Sequence, residues 1–177
     1  MKIKNLLVLA VALFAGVAVE AQELPLPRKV ENLTINDISG KPVSLPKFGE
    51  KNLLIFYVDP DSYIKGGSNK KLSDVLEDNK RAQGPEIFGF GVMNFPDTKL
   101  PKNMVRNMAR KRSEKNGATI LDDDQQLLKQ KWCLGDCNNK FVIMIVSKAG
   151  ELVYCAKDDL DEAGIEKFYT IVDKYRK

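Results

Sequence analysis

The sequence predicts an α/β domain of three layers, a mixed central sheet between helices, opened by an N-terminal β-hairpin. Three observations carry this expectation. Two runs, Asn52 to Val58 (NLLIFYV) and Phe141 to Val146 (FVIMIV), are continuously apolar over strand length, as strands buried on both faces are. Segments of helical spacing lie between strand runs, so a βαβ unit must form, and its parallel strands need a crossover. The chain then closes on two adjacent strands and a helix, which brings antiparallel pairing into the same sheet.

The elements follow in order. After Pro25 and Pro27, Val30 to Asn36 sets Val30, Leu33 and Ile35 among polar residues; Ser39-Gly40-Lys41 turns the chain, and Val43 and Leu45 complete the hairpin. The strand Asn52–Val58 comes next. Gly66-Gly67-Ser68 opens a helix with Leu72, Val75 and Leu76 at i, i+3, i+4, and Gly84-Pro85 ends it. Ile87 to Val92 is a strand loosened by Gly89 and Gly91. Pro101 suits the first position of a helix running to Lys115, with Met104, Val105 and Met108 expected toward the core and Asn116-Gly117 as the stop. Thr119 to Leu121 is a brief strand and Gln125 to Trp132 a short helix. Lys148-Ala149-Gly150 turns the strand Phe141–Val146 into Leu152–Cys155. Asp161 caps a last helix carrying Ile165, Phe168, Tyr169, Val172 and Tyr175 on one face. With no internal repeat and no long linker, residues 22–177 read as one domain.

Residues 1–21 read as a secretory signal peptide. Lys2 and Lys4 give a positive start, Leu6 to Val19 is almost wholly apolar, and Val19-Glu20-Ala21 is a small-residue exit, so cleavage is expected between Ala21 and Gln22. The run is short of the roughly 20 residues of a membrane span, and no cysteine follows it to take a lipid. The expected location is the periplasm, with secretion as the alternative and no transmembrane segment after cleavage. Export would put the three cysteines in an oxidising compartment and remove nucleic acid as a partner.

Composition excludes more. Of 177 residues, 44% are hydrophobic and 29% charged, which argues against disorder and against a membrane bundle. There is no histidine, so Ser-His-Asp and Cys-His nucleophile systems and His-ligated zinc are ruled out. No residue pattern calls for a metal or another cofactor.

The order of elements resembles the thioredoxin fold with the N-terminal hairpin of its peroxiredoxin-like and exported branches, and "LTINDISGKPVSL" ahead of "KNLLIFYV" is similar to that group's opening segment. The resemblance implies a Cys-x-x-Cys after the first central strand and a cis-proline before the strand Phe141–Val146. The chain has Asp59-Pro60-Asp61-Ser62 at the first place and Asn138-Asn139-Lys140 at the second. A carboxylate at a helix start cannot perform thiol–disulfide exchange. A narrower likeness runs from Thr119 to Leu160: Leu121, Asp122, Trp132, Leu134, the strand Val142 to Val146, Ser147-Lys148, Gly150 and Ala156-Lys157-Asp158 resemble the YtfJ-like family of periplasmic proteins. It implies an exported thioredoxin-like protein without the redox motif, and it marks Trp132, Lys157 and Asp158 as a candidate binding face, against the plainer structural reading of a core tryptophan and a solvated Lys-Asp pair.

Four constellations remain. Asp59 and Asp61, at the carboxyl edge of the sheet, suit a cation or general-base role, with helix capping as the plainer reading. Asp122-Asp123-Asp124 lacks the glycine and distal glutamate of a calcium loop and reads as a helix N-cap. Lys102, Arg106 and Arg110 recur at i, i+4, i+8 in a stretch, Lys99 to Lys115, with seven cations and one anion; this suggests docking to an acidic envelope protein or another anionic ligand, whether lipid head groups or a polyanionic envelope polymer, against a merely solvated face. Cys133 and Cys137 flank Leu134-Gly135-Asp136, where Gly135 and the Asn138-Asn139 pair argue that the helix has ended, so the chain is expected to close a structural disulfide and leave Cys155 a mostly buried free thiol, against three independent reduced thiols. No catalytic residue stands out. The leading expectation is a non-enzymatic binding module of the cell envelope; the alternative is a thiol–disulfide oxidoreductase or metal–thiolate carrier built on Cys133 and Cys137.

Overall fold

The structure, a computed structural model, describes residues 24–65 and 80–177; the expected signal peptide and most of the expected helix around Leu72, Val75 and Leu76 lie outside the described residues. Its elements are β1 (Arg28–Lys29), β2 (Thr34–Asp37), β3 (Pro42–Ser44), β4 (Asn52–Val58), α1 (Pro60–Lys65), β5 (Ile87–Met93), α2 (Lys102–Asn116), β6 (Ile120–Asp122), α3 (Leu127–Lys131), β7 (Phe141–Val146), β8 (Glu151–Ala156) and α4 (Glu162–Tyr175). The strands form one sheet in the order β1-β8-β7-β4-β5-β6-β2-β3. β4 runs parallel to β5 and antiparallel to β7, and β2–β3 is the expected hairpin, joined to the sheet through β6.

The two apolar runs are the middle of this sheet because both of their faces are covered. Along β4, Leu53, Ile55 and Tyr57 enter one core while Leu54 and Val58 enter the other; β7 divides in the same way, Val142, Met144 and Val146 against Phe141, Ile143 and Ile145. Period-2 alternation with two dry faces leaves no polar position past Asn52 at the edge of β4, hence the apolar sequence that follows it. The first core is closed by Leu33, Ile35 and Leu45 from the N-terminal segment and by Leu128 and Trp132 around α3. The second is closed by Phe168, Tyr169 and Val172 of α4, whose start is capped as expected, Asp161 Oδ1 accepting the Gly164 N–H at 2.8 Å.

Three features depart from the sequence reading. β1, which pairs with β8, has no counterpart in it, and α1 is foreshadowed only by the capping reading of Asp59 and Asp61, with no helix range assigned there. The third departure concerns α2. Its stop is the expected one, Gly117 at φ 70° donating to the Ser113 carbonyl at 2.8 Å, but Val105 and Ala109 are its buried residues, while Met104 and Met108 are 48% and 44% exposed. Lys102 and Arg106 bind acidic residues beside β6, which turns the neighbouring Val105–Ala109 edge inward and leaves the methionines outside. Among the described residues no helix is long and apolar enough to cross a membrane.

Candidate functional site

β4 is flanked on both sides by strands and ends at Asp59, directly before α1. Asp59 and Asp61 are buried. Asp59 Oδ1 accepts the Asp61 N–H at 2.9 Å, and Oδ2 accepts the Asn139 N–H at 2.6 Å. The Asp59 N–H in turn donates to the Lys140 carbonyl at 3.0 Å. This one residue therefore stitches the end of β4 to the segment entering β7. Burial pushes its carboxyl above the ordinary carboxylate range, although both backbone N–H groups oppose the shift. Asp61 is held from another side, by Thr98 Oγ1 at 2.8 Å and the Lys99 N–H at 3.3 Å. Asp59 thus caps the start of α1, whereas Asp61 ties α1 to the Thr98–Lys99 segment, and in both the carboxylate oxygens that a cation or a general-base role would need are engaged by the protein's own donors. Among the described residues no group of three or more acidic or cysteine side chains could hold a metal ion.

Residues 132–140 form a loop that gathers most of the residues singled out in the sequence. It turns on left-handed positions at Cys133, Gly135 and Asn139 (φ 49°, 71° and 54°). Trp132 begins it, 1% exposed, its indole N–H donating to the Glu31 carbonyl at 3.1 Å. Arg28 donates to the Trp132 and Cys133 carbonyls at 2.6 and 3.2 Å, Lys157 Nζ to the Leu134 carbonyl at 3.0 Å, and Lys140 Nζ pairs with Asp158 at 2.9 Å. A binding face of Trp132, Lys157, Asp158, Asp59 and Asp61 is therefore corrected on one physical ground: Trp132 and both aspartates are inside. Lys157 clamps the loop from outside, and the Asp158 side chain is 85% exposed. Arg28 and Asn139 escape a reading of the sequence. Neither belongs to a motif, and each is revealed only by a distant partner, Trp132 at 104 residues from Arg28 and Asp59 at 80 residues from Asn139.

All three cysteines are unbridged in the structure, Cys133 and Cys137 of the expected pair included. The helix ends before Gly135, α3 stopping at Lys131 with Trp132 as its C-cap and Cys133 left-handed behind it, and the two cysteine side chains then part company. Cys137 is fully buried in the first core, its thiol 3.7 Å from the Gly135 carbonyl, whereas the Cys133 thiol stays at the surface, 3.8 Å from the Gln130 carbonyl. Burial pushes the Cys137 thiol up to about 12, which leaves almost no thiolate at neutral pH. Iodoacetamide added to the native protein is expected to label Cys133 well before Cys137. Equal labelling rates at the two positions would show that the loop does not shield Cys137.

The acidic triplet works as three separate devices. Asp123 caps α3 as expected, accepting the Leu127 and Leu128 N–H groups at 2.7 and 3.0 Å. Asp122, fully buried, takes Arg106 at 2.7 Å, and Asp124 takes Lys102 at 2.8 Å and Arg106 at 3.1 Å. Two of the three cations of the Lys102, Arg106, Arg110 stripe are thus occupied within the fold, and the stripe as expected is not a free docking surface.

No protein-family model matches the chain, and no curated protein matches it. Solved structures do. The exposed lipoprotein thioredoxin of Streptococcus pneumoniae superposes with a TM-score of 0.56 at 16% identity, over 80% of this chain and 99% of that one. The thioredoxin domain of a thiol–disulfide oxidoreductase from Bacteroides vulgatus gives 0.53 at 17%, over 87% and 99%, and a peroxiredoxin-like protein from Aquifex aeolicus gives 0.54 at 13%, over 87% and 89%. The fold is thioredoxin-like.

Proposed function

We propose that this chain is an exported thioredoxin-like protein, similar to the YtfJ-like family, that binds a component of the cell envelope and does not catalyse thiol–disulfide exchange. One observation carries the reading. At the end of β4, where the resemblance implies a reactive dithiol, a buried carboxylate joins the two neighbouring segments through backbone hydrogen bonds. Exchange needs an accessible thiolate with a second thiol to resolve the mixed disulfide. Here the surface thiol of Cys133 has a buried and strongly protonated neighbour in Cys137. The basic charge of the chain, net +4, favours anionic partners. The discriminating experiment is insulin reduction with dithiothreitol as the electron donor. The protein should add nothing to the rate of the reductant alone; an acceleration lost in Cys133→Ser would establish the thiol enzyme instead.

A further inference from the structure

We propose that the outward face of α2 docks on an anionic lipid bilayer. Four large hydrophobic side chains are exposed among the described residues, and Met104 and Met108 are two of them, one helical turn apart. Lys111 and Lys115 continue their line at i+7 and i+11, so the four side chains make one stripe about 16 Å long. Arg110 lies on another face, at least about 100° round the helix from each residue of the stripe, and Lys99 just ahead of the helix. Lys99, Arg110, Lys111 and Lys115 make no ion pair among the described residues, in contrast to Lys102 and Arg106, whose charge Asp122 and Asp124 neutralise. Glu114 is the one acidic residue in the helix.

Shape decides between anionic partners. A peptide is recognised in a groove or along a strand edge. The stripe runs along an exposed side of a surface helix, about 100° round from its buried Val105–Ala109 edge, and neither Met104 nor Met108 lines the cavity beside β5 or the small one beside Asp122 to Asp124. A bilayer accepts a convex ridge: the flexible thioethers enter the acyl boundary while the lysine stems lie along it and carry their ammonium groups to the phosphates. With only two apolar anchors and a few cations the attachment is peripheral, reversible and salt-dependent. The inference rests on α2 alone and is independent of whether Cys133 has redox activity.

The chain from Gln22, which contains every described element, is sedimented with vesicles of phosphatidylglycerol and phosphatidylcholine, and with vesicles of phosphatidylcholine alone. Binding is expected to the first, to fall with added salt, and to be absent from the second. Lys111→Gln with Lys115→Gln should weaken partition about 25-fold, two cations at about five-fold each. Met104→Ser with Met108→Ser should weaken it even at the lowest salt. Circular dichroism of these surface variants should match that of the wild type. Equal partition onto both vesicles, or binding untouched by the lysine changes, overturns the proposal. So does soluble poly-glutamate that binds the chain while anionic vesicles do not, which would make an acidic polypeptide the partner.

Discussion

Replacing Trp132 by alanine is expected to destabilise the fold by about 3–5 kcal/mol, the cost of removing the largest fully buried side chain of the first core. The expected fall in melting temperature is roughly 10 °C or more. Two losses add. The ring leaves a cavity among residues that include Leu128, Leu134 and Leu152, which can collapse only partly because the sheet beneath them is fixed by its ladder. The Glu31 carbonyl also loses its indole donor, and the tie between the N-terminal segment and the loop weakens. Trp132→Phe separates the two: it keeps most of the volume and loses the hydrogen bond, for an expected cost of roughly 1–2 kcal/mol. Denaturant unfolding should be followed by circular dichroism, since Trp132 is the only tryptophan. An alanine variant within about 1 kcal/mol of the wild type, the effect of an ordinary point mutation, would mean the ring is not part of the core.

The same residue shows where the sequence is legible. Long, doubly buried strands can be read to the residue, β4 and β7 above all, because burial on two faces leaves an unbroken apolar run. β1, two residues long, has no period to read, and α1 (PDSYIK) is too short to show one. α2 offers two adjacent apolar edges, Met104–Met108 and Val105–Ala109, about 100° apart on the helix. The choice between them is made by Arg106 and Asp122, sixteen residues apart in sequence, and no local pattern records it. At the candidate site, the residue types are legible but their environment is not. Trp132, Asp59 and Asp61 can each be read as a core or capping residue or as surface chemistry, because each is of a type that does both. Their burial depends on Glu31, Asn139 and Thr98, partners that only the fold brings near.

Asp59→Ala should cost about 1–3 kcal/mol, because it strands the buried N–H of Asp61 and takes the acceptor from the half-buried N–H of Asn139. The loop it anchors should loosen with it, so native-state alkylation of Cys137 should become measurably faster than in the wild type. A variant that merely lost global stability, rescued to wild-type stability by an osmolyte, would not show that acceleration. Asp59→Asn keeps the shape, retains one acceptor and removes the buried charge, and its pH dependence gives the sharper result. Burial raises the folded-state pKa of Asp59 above its ordinary 3.8, so between that value and the raised one the folded protein holds a proton that the unfolded chain has released. Stability contributed by Asp59 therefore rises as pH falls from neutral through mild acid, and becomes level once the unfolded carboxyl is protonated as well, below about 3.8. The Asp59→Asn variant has no such titration at this position, while Asp122 and Asp123, also raised by burial, are common to both proteins and cancel in the difference. The stability of the wild type relative to Asp59→Asn should thus improve as the pH is lowered. A difference that is flat with pH, or that moves the other way, would mean that the hydrogen bonds from Asp61 and Asn139 outweigh the desolvation of the carboxylate, and that Asp59 stands ionised in the fold well into acid.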